Sequence, residues 1–269
     1  MQSSGFFVTV GACLAACDVE EKLALTRAAA ADWLSGRVVL EEAPETVPVA
    51  GRPERPVLVR PRELPQRRPD SPEGRGVLFH AIVHIEFTAI NLALDHACRF
   101  RDMPVEYYGD WLRIAAEEVD HFEMLRGHLR GLGYDYGDFP AHGGLWQMAE
   151  STAYDVLARM ALVPRGLEAR GLDVNPGIKA KLIEVGDSRG AALLDIILRD
   201  EVGHVAAGDR WFRHLCAARD LEPQATYRAL ITRHLKGGLR GPFHRDARLA
   251  AGFTADELSA LEQTPHEVS

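Results

Sequence analysis

Apolar residues in this chain recur every three or four positions, and no segment of useful length shows the two-residue alternation of a half-buried strand. From Val77 onward the pattern predicts four long helices, at about 77–101, 104–132, 144–171 and 187–218, lengths that suit a helical bundle. Breakers separate them: Asp102-Met103-Pro104 after the first, Gly131 to Gly144 with Pro140 after the second, and Gly171 to Pro176 after the third. Residues 19–35 read as an earlier helix with Asp18 as N-cap and Gly36 as stop. Two shorter helices, 223–236 and 254–263, follow the bundle, the second starting at Thr254.

Between Glu41 and Gly76 the pattern fails, and Pro, Arg and Glu take over. Such a stretch forms neither a long helix nor a core, so it is expected to wrap as an extended arm. The fold class is therefore all-α. Residues 1–76 form an N-terminal helix and arm packing on a helical body, 77–269, that carries a C-terminal extension.

Composition changes this picture little: 269 residues with 46% hydrophobic and 26% charged describe a packed globule. A net charge of -8 argues against a dominant nucleic-acid or anionic-membrane surface, and the basic run Arg60 to Arg68 reads as a solvated or ion-paired part of the arm. Cys13, Cys17, Cys98 and Cys216 lack zinc or redox spacing, which fits a reducing cytoplasm. The apolar N-terminus lacks the basic start of a secretory signal, and nowhere do 18 apolar residues run together, so no membrane span is expected.

The chemistry lies in two repeats of one spacing, Glu118-Val119-Asp120-His121 and Glu201-Val202-Gly203-His204. Residues i and i+3 share a helix face, so each pair can offer a carboxylate and an imidazole to one metal. A single pair is more often an interhelical salt bridge. Two pairs on alternate helices, each preceded by a helix with an acid among apolar residues, match the ligand set of a di-iron or di-manganese bundle. Glu86 meets that requirement on the first helix, because Phe79, Ile82, Val83, Ala89, Ile90 and Ala93 share its face. A lone carboxylate there needs a partner.

On the third helix Glu150, Asp155 and Glu168 compete. Glu86 precedes Glu118 by 32 positions and Glu168 precedes Glu201 by 33, as two similar hairpins require, so Glu168 is the choice. Glu150 shares its face but lies about 27 Å along the axis. Pro164 should kink the helix one turn before Glu168. Carboxylates with imidazoles suit iron or manganese rather than calcium or magnesium.

Other residues keep two readings. Asp120 and Asp200 either orient an imidazole or bond arginine. Tyr107 lines a channel or packs at a helix start, and Arg165 neutralises a carboxylate or binds an anionic substrate. His80 and His84 sit roughly 240° and 200° from Glu86 around the helix and pack elsewhere.

Several long stretches, among them HAIVHIEFTAINLALDHACRF, DWLRIAAEEVDHF, VPRGLEARGLDVNPG and DEVGHVAAGDRWF, resemble the ferritin-like diiron-carboxylate superfamily. Within it they are most similar to the family called Domain of Unknown Function 455. The resemblance implies a ferritin-like four-helix bundle with two Fe (or Mn) ions bridged by Glu118 and Glu201 and held terminally by Glu86, Glu168, His121 and His204. It implies an O2-activating oxidase or hydroxylase of an unidentified organic substrate, served by an external electron donor. A more distant likeness, to hydroxylases of modified tRNA bases and quinone precursors, admits a small-molecule or modified-nucleoside substrate. The alternative is a ferroxidase, metal-storage or peroxide-protective protein; a homodimer is left open.

Overall fold

The computed structural model describes residues 4–41, 46–66 and 68–263. Two-residue strands, β1 (Ser4–Gly5) and β2 (Val38–Val39), pair in parallel around helices α1 (Phe6–Ala15) and α2 (Val19–Leu34). Asp18 caps α2 as expected, its side chain accepting from the Glu21 N–H at 2.9 Å. The apolar run before it is itself the helix α1, burying Phe6, Phe7, Val10 and Leu14. Its last carbonyls would be orphaned in the interior. Lys22 Nζ donates to the Cys13 and Leu14 oxygens at 2.8 Å each, and the Gly51 N–H donates to Leu14 at 2.8 Å. Lys22 is fully buried, which pushes its ammonium down to about 8.

Of the expected arm, residues 42–45 and 67 lie outside the described residues and Pro72–Gly76 belong to a helix; the described rest holds no α-helix and one 3-10 turn at Pro61–Glu63. It is held by backbone bonds from Val59 N–H to the Ala141 oxygen (2.8 Å) and from Ala141 N–H to the Val57 oxygen (3.0 Å). The first long helix, α3 (Pro72–Arg99), starts before its apolar stripe does, because Ser71 caps it and Pro72 occupies the first turn. It pairs with α4 (Val105–Gly131) across a short connection. By length and composition α3 could cross a membrane, yet 78% of its most apolar window is buried inside the protein, as in a core helix.

The expected third helix, 144–171, is not one helix. It is divided into α5 (Gly144–Ser151), α6 (Val156–Leu162) and a π-helical segment, Val163–Glu168, which runs into α7 (Ala169–Glu184). Side chains end α5: the Thr152 hydroxyl donates to the Met148 oxygen at 2.7 Å, and Arg159 bonds both Thr152 Oγ1 and the Ala149 oxygen. Asp155, weighed above as a ligand, instead caps α6 and pairs with Arg219. The expected break at Gly171–Pro176 is likewise absent, since α7 continues through Pro176. Packing of α7 on α8 (Ser188–Ala218), with Asn175 Nδ2 donating to the Leu194 oxygen at 2.9 Å, outweighs the one backbone bond that proline removes. Helices α9 (Pro223–His234), α10 (Arg245–Ala250) and α11 (Ala255–Gln263) follow among the described residues.

The chain forms two compact units, one through Trp146 and one from Gln147 on, a division inside the region 77–269. The α3–α4 pair belongs to the first and the α7–α8 pair to the second.

Two glycines should respond oppositely to alanine. At Gly51 an added Cβ runs into the carbonyl oxygens of Ala15 and Ala16, backbone atoms that cannot swing aside. At Gly127, exposed in the interior of α4, it meets nothing. Denaturant titration should find Gly51→Ala destabilising by about 1–3 kcal/mol, and Gly127→Ala stabilising by about 0.5–1 kcal/mol. Equal effects would contradict this anchoring of the arm.

Candidate metal centre

Glu86 lies on the stretch of α3 whose Phe79, Val83, Ala89, Ile90 and Ala93 are buried, and it is buried with them. Glu118 and His121 occupy consecutive turns of α4 and are also buried, because Ile114, Ala115, Phe122 and Leu125 carry that face inward. His121 Nδ1 stands 3.1 Å from Glu118 Oε2 and 3.7 Å from Glu86 Oε2. Each of the three residues offers a ligand atom within 4.8 Å of the others. Glu86 Oε2 is buried and makes no hydrogen bond, a condition that native interiors avoid.

The groups around it set its protonation. Burial first, and then the charge of Glu118, hold the Glu86 carboxyl well above the usual carboxylate range. Burial alone would lower His121, but its hydrogen bond with Glu118 and the nearby Glu118 and Glu86 carboxylates prevail and push the imidazole up to about 11. Without a metal the cluster keeps protons at a place that calls for positive charge. A divalent cation fits the same donors: two carboxylates, an imidazole nitrogen turned toward both, and one oxygen with no other partner.

The second unit repeats half of this arrangement. His204 Nδ1 lies 3.8 Å from Glu201 Oε1; the imidazole is buried and the Glu201 side chain is 14% exposed. Glu168 is the last residue of the π-helical segment and is half-buried. Pro164 does distort the helix, but by widening its turns rather than as a simple kink. The segment lies directly against α8, where a Cβ on Gly208 would come 2.5 Å from the Pro164 Cβ. Proline and Gly166 within one turn were the available signal for such a segment.

The remaining readings separate. Asp120 is exposed and bonds Arg27, and Asp200 bonds Arg199. The Tyr107 hydroxyl donates to the His96 oxygen at 3.3 Å, deep in a packed helix start. His80 accepts from the Gly137 N–H at 3.0 Å, and His84 Nδ1 lies 3.0 Å from the Tyr136 hydroxyl. Burial holds both of these imidazoles down to about 4, so they are neutral packing groups. Arg165 neutralises carboxylates, Asp209 and Glu257.

The proton on His121 has a measurable consequence in metal-free protein. A folded pKa above the unfolded value contributes stability that is full below the unfolded pKa and lost as pH rises toward the folded one. For His121 that window runs from 6.5 to about 11. Thermal melts in chelator should therefore find that His121→Gln costs more at pH 6.5 than at pH 10. A cost that does not change with pH would show that the imidazole carries no such proton.

Residues 15–259 match the family described as "Protein of unknown function (DUF455)". An uncharacterised protein of Haemophilus influenzae is 46% identical over 240 residues, which cover 84% of this chain and 83% of the relative. No solved structure matches. By the extent of the family match and this relative, the chain belongs to the DUF455 family.

Proposed function

We propose that this chain is a ferritin-like dinuclear-metal protein whose six ligands are Glu86, Glu118, His121, Glu168, Glu201 and His204. We further propose that it is an O2-activating oxidase or hydroxylase of an organic substrate. The observation that carries the reading is the buried Glu86–Glu118–His121 cluster with its unbonded Glu86 oxygen. Cost decides between this and a structural ion pair. Interior carboxylates stay ionised only when paired and hydrogen-bonded, and a single imidazole serves two of them here. The repeated Glu-x-x-His spacing supplies the second set of donors in the order known for such centres.

In this reading Glu86 and Glu118 bring the negative charge that offsets a dication, and His121 gives up its proton to offer Nδ1 as a neutral donor. Val83, Ile90 and Phe122, each within one turn of a donor in sequence, are fully buried and the donors nearly so, which limits access of bulk water. When bound, a pair of iron or manganese ions would supply the Lewis acidity and redox capacity for O2 chemistry, with electrons from an external donor.

Metal analysis after loading with Fe(II) or Mn(II) should find about two ions per chain. At free metal near 100 times Kd the bound metal should stabilise the fold by about 2.7 kcal/mol. Glu118→Ala and His204→Ala should each lose metal and that stabilisation. A protein that binds no stoichiometric metal, with both variants as responsive as the native chain, would sink the proposal. Multiple-turnover Fe(II) oxidation that builds a mineral core would move the assignment to metal storage.

A further inference from the structure

Beside Glu168, in the second unit, four charged side chains close a ring. Asp209 Oδ1 accepts from Arg165 Nε at 2.6 Å and its Oδ2 from Arg213 Nε at 2.8 Å. Glu257 Oε1 forms an ion pair with Arg165 Nη2 at 2.7 Å, and Oε2 accepts from Arg213 Nη2 at 2.8 Å. The two guanidinium and two carboxylate charges cancel. Arg165 is completely buried, its guanidinium 4.0 Å over the Tyr227 ring and 4.2 Å over the Phe253 ring. Its backbone is held as well, because the Tyr227 hydroxyl donates to the Arg165 oxygen at 3.1 Å.

This assembly is an expensive way to fill a core, since buried ion pairs rarely stabilise more than well-packed hydrophobic groups of the same volume. Their better-attested use is to select one arrangement among alternatives. Such a choice exists here. Arg165 sits within the π-helical segment, a conformation less favoured than the α-helix it interrupts, and Glu168 ends that segment three residues later. Asp209 sits on α8, five residues after His204 and eight after Glu201. The ring thus ties the segment that carries one candidate ligand to the helix that carries two, and Glu257 makes the C-terminal helix α11 part of the tie.

We propose that Arg165 is a positioning residue: the Arg165–Asp209–Arg213–Glu257 ring locks the π-helical register that presents Glu168 alongside Glu201 and His204, with α11 as its outer latch. This rests on the dinuclear reading above. The ring touches no metal; it acts through Glu168.

The test uses the full chain as native protein and as Glu257→Gln, Arg165→Met, Glu168→Gln and Glu257→Gln/Glu168→Gln variants. Glu257→Gln preserves shape, and it decides the matter alone if Arg165→Met does not fold. Mn(II) affinity by competition should fall about 10- to 100-fold in Glu257→Gln, the usual cost of losing a group that orients a ligand. Glu257→Gln should cost far less when Glu168 is already Gln, because its effect runs through that ligand. Hydrogen exchange of metal-free Glu257→Gln should be faster across residues 163–168. Unchanged Mn(II) affinity, or losses that add in the double variant, would overturn the latch while leaving the dinuclear centre standing. A native chain that binds no Mn(II) or Fe(II) would overturn both.

Discussion

Interior negative charge has to be answered, and in the first unit the answer is incomplete. Glu86 and Glu118 face His121 from two neighbouring helices, all three are buried, and one Glu86 oxygen has no hydrogen bond. Protons can fill the deficit, which is why both Glu86 and His121 hold theirs far above their ordinary ranges. A cation fills it with better geometry, because the donors already converge. The long apolar stripe of α3 and its packing on α4 create this requirement, because they carry an acid in the middle of the stripe into the interior.

Other buried charges among the described residues lie close to an opposite charge or to carbonyl oxygens. The ring of Arg165, Asp209, Arg213 and Glu257 is balanced, as is the buried pair of Arg248 and Asp173. Lys22 spends its donors on the end of α1. These groups have a charged or carbonyl partner within 2.8 Å, whereas Glu86 Oε2 stands 3.7 Å from His121 Nδ1. The buried Glu/His cluster could hold a metal ion.

The helical segmentation follows two different rules. Where local signals act alone they hold: Asp18 caps α2, and α8 runs from Ser188 to Ala218, within a residue of its apolar period. Where tertiary contacts compete they yield. Arg159 and Thr152 end α5 inside an unbroken apolar pattern, and packing on α8 carries α7 across Pro176. A side chain that reaches a hydroxyl seven residues away and a carbonyl ten residues away leaves no periodic trace, so these boundaries could not be read from spacing.

The sequence by itself determined the all-α class, an arm without a long helix of its own, and the candidate ligands Glu86, Glu118, His121, Glu201 and His204. The reason is that helix periodicity turns a spacing of three into a shared face and turns an acid within an apolar stripe into a buried one. Glu168 came from hairpin spacing and the family resemblance, and its local conformation was not legible. Only the tertiary structure decided that Pro164 opens a π-helical segment, that Arg165 answers Asp209 and Glu257, and that one Glu86 oxygen lacks a bond. Each of these depends on groups that meet through folding, 44 residues apart for Arg165 and Asp209, and no local pattern records such a meeting.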